Sequence, residues 1–314
     1  MTIRRSLLLA ALGLALLVPA TASAQTRTVA ISTIIEVPAL LDVRDGIIEA
    51  LAERGFERGR TLTIVYESAN TNMVTQQQIA KKFAGLQPDV IVPITTPTAQ
   101  AMVAATTGIP IVFAAVTDPV KARLVPQLTQ PGDRVTGVSD AAPIRQQVEL
   151  IRAILPRLAK LGFIYNPGLD NAVAALEQTR AAAGPLGIEI VESPAPTSNE
   201  VLVASRRLVG RVDAIYVPND STVVSALEAV VKTSQEARLP LFVGETQRVE
   251  KGAIASVGFD YKEGGRIAGH MVADILEGKA PGTIDVVVMR DAVDRFDVVL
   301  NRKAATAIGL TLPE

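Results

Sequence analysis

The sequence predicts an α/β protein with two Rossmann-like lobes, each built on a parallel sheet, joined by a three-segment hinge. Three observations carry this prediction. Short β-branched runs alternate with longer segments of helical spacing. The runs are continuously apolar, as expected of strands buried on both faces of a parallel sheet. The same order of elements then starts a second time near Lys160.

The first half contains four predicted strands and three predicted helices. The strands are Val29–Ser32, Leu62–Tyr66, Val90–Pro93 and Ile109–Ala115, and the helices are Ala39–Glu53, Val74–Leu86 and Pro97–Thr106. The second half repeats this order. Its predicted strands are Lys160–Tyr165, Ile188–Val191, Ala214–Pro218 and Pro240–Val243, and its helices are Asn171–Ala183, Asn199–Val209 and Thr222–Glu236. Alternating strands and helices of this kind favour a doubly wound sheet in each half.

The two halves also resemble each other residue by residue. PDVIVPITTPTAQAM, which starts at Pro88, aligns with VDAIYVPNDSTVVSAL, which starts at Val212. GIPIVFAAV from Gly108 aligns with RLPLFVGET from Arg238. One such pair could be a chance match of apolar strands, but two pairs in the same order favour an internal duplication.

The remaining segments set the expected lobe boundaries. A strand at Gly252–Gly258 and a helix at Tyr261–Leu276 are predicted to complete the first lobe. Strands near Val286–Val288 and Phe296–Val299, with a helix from Arg302, are predicted to follow. We therefore expect an N-terminal lobe of residues 27–141 plus 252–282 and a C-terminal lobe of residues 142–251 plus 283–314.

Residues 1–24 are typical of a cleavable secretory signal. Arg4 and Arg5 precede an uncharged apolar run, Leu7–Val18, and small residues follow up to Ala24. The run is shorter than the roughly 20 residues that a membrane anchor needs. The sequence contains no cysteine, so the predicted mature N-terminus has no thiol for a lipid. We expect cleavage after Ala24 and a free protein in the periplasm.

The charge balance excludes two classes of partner. The chain has 31 basic and 32 acidic residues, a formal net charge of −1. Such a balance gives no basic surface for nucleic acid or for an anionic membrane. We therefore expect no nucleic-acid partner. We also expect the protein to be a monomer.

Polar side chains follow the predicted strands. In an open parallel sheet, ligands bind beyond the carboxyl ends of the strands. The candidate ligand-binding residues found there are Thr95, Thr96, Thr117, Asp118, Tyr165, Asn166, Asn219, Asp220 and Glu245.

Two groups of these residues predict opposite charges on the ligand. Thr95-Thr96-Pro97 resembles a helix start, whose free N–H groups attract an anion such as a carboxylate. Asp220 and Glu245 follow apolar strands of the other half, where an acid can pair with an ammonium. The alternative interpretations are helix caps for the threonines and Asp220, and a solvated charge for Glu245. Together the two groups suit a zwitterion, and an amino acid is the simplest one.

Nothing in the sequence resembles a catalytic or metal centre. The single histidine, His270, lies inside a predicted helix without a sequence partner for general-base chemistry. The sequence has no cluster of histidine and cysteine, no P-loop, no GxGxxG after a strand and no GxSxG. We therefore expect no enzyme activity, no cofactor and no metal.

Several segments resemble one known family. They include VPALLDVRDGIIEAL from Val37, IPIVFAAVTDPV from Ile109, VDAIYVPNDSTVVSALEAVV from Val212 and PLFVGETQRVEKGAIASVGFDYKEGGRIAG from Pro240. Across the predicted mature chain, the sequence is similar to the TrpX-like substrate-binding proteins of ABC transporters, which have the type I periplasmic binding fold.

This resemblance implies a receptor that captures a small solute, often an aromatic amino acid, and delivers it to a membrane permease. It also implies that Thr95, Thr96 and Thr117 face the ligand carboxylate, with the second-half candidates on the opposite wall. The chain departs from the family pattern at Val37, where histidine is frequent, and at Glu245, where aspartate is frequent. The alternatives are an exported sensory binding protein, a binder of a nucleoside or sugar, and an exported α/β enzyme.

Overall fold

The computed structural model describes residues 26–293 and 295–312. The predicted signal, residues 1–24, lies outside them. The strands of the first half are β1 (Arg27–Thr33), β2 (Leu62–Ser68), β3 (Val90–Ile94), β4 (Ile111–Phe113) and β5 (Val135–Ser139). Those that follow are β6 (Lys160–Tyr165), β7 (Glu189–Pro194), β8 (Ala214–Val217), β9 (Leu241–Val243), β10 (Ala255–Gly258), β11 (Val287–Val288) and β12 (Asp297–Leu300).

The helices lie between these strands. They are α1 (Pro38–Glu53), α2 (Met73–Leu86), α3 (Thr96–Ala105), α4 (Ile144–Ile154), α5 (Asp170–Ala183), α6 (Val201–Leu208), α7 (Ser221–Ser225), α8 (Leu227–Ala237), α9 (Tyr261–Leu276), α10 (Met289–Ala292) and α11 (Arg302–Ala307). The predicted helix Thr222–Glu236 is two helices, α7 and α8, which meet at Ala226. The sequence analysis did not assign β5 or α4.

The strands form two six-stranded sheets, which confirms the predicted α/β fold with two lobes. The first sheet has the order β11-β5-β4-β3-β1-β2, and the second has the order β12-β10-β9-β8-β6-β7. All pairs in the first sheet are parallel, and β12 in the second sheet is antiparallel to β10. The core strands of both sheets follow one topology, as an internal duplication predicts.

The chain crosses between the sheets three times: after β5, after β10, and between β11 and β12. Two strands are placed differently from the prediction. Gly252–Gly258 was assigned to the first lobe, but β10 pairs with β9 because only a short 3-10 turn, Thr246–Lys251, connects them. Residues 283–314 were assigned to the second lobe, but Val287 and Val288 pair with β5 of the first sheet.

Helix α9 returns the chain to the first lobe, where it packs along α1. Glycines at the contact let the two backbones approach closely. A Cβ atom at Gly265 would lie 2.2 Å from the carbonyl oxygen of Val43, and one at Gly46 would lie 2.2 Å from that of Lys262. This packing fixes the first residue of α9, Tyr261, beside the cleft.

Within the described residues, no helix is both long and apolar enough to cross a membrane.

Candidate ligand-binding cleft

A small cavity lies between the two lobes, at the carboxyl ends of the central strands. The aliphatic part of its lining consists of Ile35, Val37, Leu40, Pro97 and Ala115 of the first lobe and Val224 of the second. The rest of the lining is polar. The cavity therefore offers both apolar side chains and hydrogen-bonding and charged groups.

Thr95 and Thr96 form part of the first-lobe wall, where β3 leads into α3. Thr95 has φ 88° and ψ 155°, a conformation that is almost restricted to glycine. Its hydroxyl lies 3.1 Å from that of Thr98 and does not cap α3. The buried hydroxyl of Thr96 has no hydrogen-bond partner among the described residues. The predicted helix start is present, and neither threonine side chain is used as an ordinary cap.

Asp220 lies on the opposite wall and has a structural role. One carboxylate oxygen accepts hydrogen bonds from the backbone N–H groups of Thr222 at 2.9 Å and Val223 at 3.1 Å. The other oxygen accepts one from the N–H of Asn166 at 2.5 Å. Burial raises the pKa of Asp220, and these three bonds oppose the shift. These contacts are those of a helix cap, which was the alternative interpretation of Asp220 from the sequence.

Glu245 faces the cavity beside Arg248, a residue that the sequence analysis did not select. Glu245 Oε2 and Arg248 Nε lie 2.6 Å apart, and both side chains are almost fully buried. The pair is not aligned as a hydrogen bond, so neither atom has a hydrogen-bond partner in the described part of the chain. Glu245 is therefore balanced by a guanidinium of the same lobe, whose planar donors suit a carboxylate.

Asp140 is a third buried carboxylate, at the first crossing between the lobes. It accepts hydrogen bonds from Thr117 at 3.2 Å, from Asn219 at 3.3 Å and from the hydroxyl of Tyr261 at 3.1 Å. Burial, and then the negative charge of Glu245, raise the pKa of Asp140 to about 6, and its three hydrogen bonds oppose this rise. Asn219 also donates to Tyr261 at 2.7 Å, which connects the two lobes.

Five polar atoms around the cavity have no hydrogen-bond partner among the described residues. They are Thr96 Oγ1, Asn171 Oδ1, Asn219 Oδ1, Glu245 Oε2 and Arg248 Nε. Buried polar atoms are normally paired, because an unpaired one costs about 1–3 kcal/mol. A cluster of donors and acceptors of this kind is typical of a binding site for a polar ligand.

The structure brings six of the nine predicted residues to the cavity: Thr95, Thr96, Thr117, Asn219, Asp220 and Glu245. The other three are engaged elsewhere, so their predicted role on the cavity wall is not supported by their placement. The Asp118 carboxylate accepts a bond from the N–H of Lys121. The Tyr165 hydroxyl donates to Glu192 at 2.6 Å. The Asn166 amide donates to Thr222 at 2.9 Å.

Four polar residues of the lining are not among the nine candidates: Asp140, Asn171, Ser221 and Arg248. Asp140 directly follows β5, so assigning that strand would have found it. Asn171 lies in the first turn of α5 rather than at the end of a strand. Arg248 lies three residues beyond Glu245, inside a 3-10 turn, and the sequence gives no signal that this turn is buried.

Comparison with known proteins identifies the family. The family model described as ABC transporter substrate binding protein matches residues 28–314. The chain belongs to this family of ABC transporter substrate-binding proteins.

Relatives of this substrate-binding protein include proteins of known ligand. The tyrosine-binding protein of Clostridioides difficile is 36% identical over 290 residues, which are 92% of this chain and 83% of that protein. A Streptococcus pneumoniae domain solved in complex with L-Trp has a TM-score of 0.88 at 32% identity, and the match covers 92% of this chain and 97% of that one. A conserved domain protein from Vibrio cholerae has a TM-score of 0.89 at 46% identity, with the same coverage.

A further solved structure bears on the lobe arrangement. The ligand-free, open structure of a substrate-binding protein from Clostridium difficile has a TM-score of only 0.70, although it is 35% identical and the match covers 92% of this chain and 97% of that one. At nearly equal identity, this substrate-binding protein superposes much better on the L-Trp complex. Gln100 and Asp170 also bond across the cleft at 2.7 Å. The lobes are therefore arranged as in the complex.

Proposed function

We propose that this substrate-binding protein captures an amino acid with an aromatic or branched apolar side chain between its lobes and delivers it to an ABC permease. When the lobes close over the ligand, the binding protein presents the permease with a conformation that differs from its own ligand-free conformation. A ligand shifts this equilibrium only by its differential affinity for the two forms.

The observation that carries the proposal is that one cavity is lined by both polar and aliphatic side chains. The polar side chains offer donors, from Arg248 and Thr96, and acceptors, from Asn219 and Glu245. These are the groups that a carboxylate and an ammonium require. The aliphatic side chains suit an apolar side chain of the ligand. A ligand that combines all three features is an amino acid of this type.

Two relatives support the choice of ligand. One is named for tyrosine binding, and the other was solved with L-Trp. Aliphatic side chains can pack against the ring of either amino acid, because burial of apolar area does not require an aromatic partner. They can equally pack against leucine, isoleucine or valine. The sugar alternative is less favoured, since no tryptophan is present to stack on a pyranose ring.

Isothermal titration calorimetry of the predicted mature chain, residues 25–314, tests the proposal. The panel contains the common amino acids, nucleosides, monosaccharides and short peptides. We expect saturable one-to-one binding of tyrosine, tryptophan, phenylalanine or a branched-chain amino acid. Heat only from a nucleoside or a sugar, or from no compound, contradicts the proposal. A native mass spectrum of the purified protein independently gives the mass of any ligand that stays bound through purification.

The delivery step and the location require cellular tests. We expect deletion of the gene to reduce uptake of the radiolabelled amino acid that binds in calorimetry, and a plasmid copy to restore it. Fractionation is expected to recover the protein in the periplasm with Gln25 as its first residue. Unchanged uptake, or retention in the cytoplasm with residues 1–24 attached, contradicts these two parts of the proposal.

A further inference from the structure

We infer that Asp140, rather than Glu245, is the counter-ion of the ligand's ammonium group, and that in acidic solution ligand binding expels a proton from the Asp140 carboxyl. This inference rests on the proposed amino-acid function and specifies which residue recognises the amine. It begins with an unbalanced charge: Asp140 is 6% exposed, and its hydrogen-bond donors are two hydroxyls and an amide.

The negative charges of the two other acids at the cavity are already stabilised by partners in the second lobe. Glu245 has the Arg248 guanidinium at 2.6 Å. Asp220 accepts three backbone N–H bonds. Asp140 has no bonded cationic side chain within the described residues. Because a buried carboxylate without a cation is costly, a carboxyl in this setting holds a proton or pairs with a cation that enters the cavity.

The hydrogen bonds of Asp140 leave room for a further donor. Its three bonds, of 3.1–3.3 Å, are longer than the 2.7–2.9 Å that is usual when a cation donates to a carboxylate. A carboxylate has about four acceptor positions, so one remains for an ammonium. Asp140 lies in the wall of the same cavity as Arg248. An amino acid can therefore place its carboxylate on the guanidinium and its ammonium on Asp140.

The groups around Asp140 determine the pH at which its carboxyl ionises. Glu245, which follows β9, disfavours ionisation. Thr117 after β4, Asn219 after β8 and Tyr261 at the start of α9 favour it through hydrogen bonds. Arg248 is the nearby cation, and it lowers the pKa of Tyr261. Burial is the largest influence, and the resulting pKa of Asp140 is about 6.

The sign of the pH dependence follows from these groups. An ammonium next to Asp140 favours the charged form, so the pKa of Asp140 is lower in the complex than in the ligand-free protein. Below pH 6 the ligand must displace a proton, and affinity falls by up to about tenfold for each unit of pH. Above pH 6 the carboxylate is already ionised, and binding no longer releases a proton from it.

Calorimetry with the amino acid that binds most tightly, beginning with L-tryptophan and L-tyrosine, tests the inference. Titrations at pH 5.0 and 7.5, each in two buffers of different ionisation enthalpy, count the protons released. We expect nearly one proton per ligand at pH 5.0, almost none at pH 7.5, and a clearly higher dissociation constant at pH 5.0. This measurement on the unaltered protein does not depend on whether any variant folds.

Three variants assign the proton. Asp140→Asn keeps the size of the side chain and is expected to lower affinity at least tenfold at pH 7.5 and to abolish proton release at pH 5.0. His270→Gln is expected to retain proton release. Glu245→Gln is expected to shift proton release to lower pH, because loss of the Glu245 charge lowers the pKa of Asp140. His270 is the one histidine of the chain, and its ring is 43% exposed on the outer side of the first lobe, near Glu53.

The outcomes separate the inference from the proposed function. If no amino acid binds at pH 7.5, the proposed function itself is wrong. If an amino acid binds without proton release at pH 5.0, or if Asp140→Asn binds it as tightly as the unaltered protein, the assignment of Asp140 is overturned and the function stands. Proton release that persists in Asp140→Asn and is lost in Glu245→Gln transfers the role to Glu245.

Discussion

Gln100 of the first lobe donates a hydrogen bond of 2.7 Å to the carboxylate of Asp170 in the second lobe. Lys121 and Glu177 form an ion pair between the same two lobes. Gln100 lies one turn beyond Thr96 in α3, and Asp170 precedes Asn171 in α5, so the two helices that carry the first contact also line the cavity. These contacts hold the lobes together at the mouth of the cleft.

The first prediction concerns the lifetime of the closed complex. Gln100→Ala and Lys121→Gln are each expected to speed ligand release by up to about fivefold, because exposed polar pairs contribute about 0.2–1 kcal/mol. Stopped-flow measurement of the dissociation rate checks this. Lys82→Gln is the control, since it breaks an ion pair with Glu67 inside the first lobe. If both cross-lobe variants release ligand at the same rate as the unaltered protein, these contacts do not hold the cleft closed.

The second prediction concerns the guanidinium in the lining of the cavity. Arg248→Gln is expected to weaken amino-acid binding more than tenfold, because it removes the planar donors proposed to hold the carboxylate. The variant is also expected to unfold more easily, since Glu245 is left as a buried charge without its partner. Binding is measured by calorimetry and stability by urea denaturation. An unchanged dissociation constant contradicts the assignment of Arg248.

The third prediction concerns the stability of the ligand-free protein. Burial raises the pKa of Asp140 to about 6, above its ordinary value of 3.8. The folded state therefore binds more protons than the unfolded state between these values, and this carboxyl makes the protein less stable as pH rises towards 6. A shift of about two units corresponds to about 3 kcal/mol at most.

Asp140→Asn removes this penalty. Chemical denaturation without ligand is expected to show a variant about 1–3 kcal/mol more stable than the unaltered protein at pH 7.5, with little difference at pH 4. The same substitution is expected to weaken ligand binding, so stability and affinity move in opposite directions. A variant that is less stable at pH 7.5 contradicts this account of the Asp140 charge.

The fourth prediction concerns the strained backbone at Thr95. Thr95 has φ 88° and ψ 155°, which costs about 1–3 kcal/mol for a residue other than glycine. Thr95→Gly is expected to raise the free energy of unfolding by about 1 kcal/mol, because relief of strain exceeds the added freedom of the unfolded chain. It is also expected to weaken ligand binding. Thr95→Ser keeps both the strain and the hydroxyl, and is expected to change neither property much.

The sequence predicted most of the architecture because the buried strands are unbroken apolar runs. β3 and β8, for example, were assigned within one residue at each end. The strand β5 was missed, since Gly137 interrupts its short run. The structure requires glycine there, because a Cβ atom would lie 2.1 Å from the carbonyl oxygen of Phe113 on β4. That close approach depends on the neighbouring strand and is not visible in a local pattern.

The missed strand also explains why one residue of the site was not selected. Ligand residues were sought after assigned strands, so Asp140 was not among the candidates, and Asp220 and Glu245 were proposed for the ammonium. Arg248 was not selected either. Its burial depends on how the lobes and turns pack together, which a single sequence does not reveal. For Asp220 the sequence predicted two alternative roles, a helix cap and a ligand-binding acid. Its hydrogen bonds in the structure are those of a cap.

The last prediction concerns the contact of α9 with α1, which positions Tyr261 beside Asp140. Gly265→Ala places a methyl group 2.2 Å from the backbone oxygen of Val43. Since the obstacle is backbone, the two helices must separate, and we expect the free energy of unfolding to fall by at least about 2 kcal/mol. The adjacent Gly264→Ala is a matched control.

At Gly264 the added methyl group meets only the Met289 side chain, at 3.5 Å. Alanine also favours a helix interior over glycine by up to about 1 kcal/mol, so the control is expected to be at least as stable as the unaltered protein. Separation of α9 from α1 also moves Tyr261 away from the Asp140 carboxylate that it bonds at 3.1 Å. Gly265→Ala is therefore expected to weaken ligand binding while Gly264→Ala is not. Equal losses in both variants would indicate a general intolerance of α9 to side chains, and not a contact that positions the site.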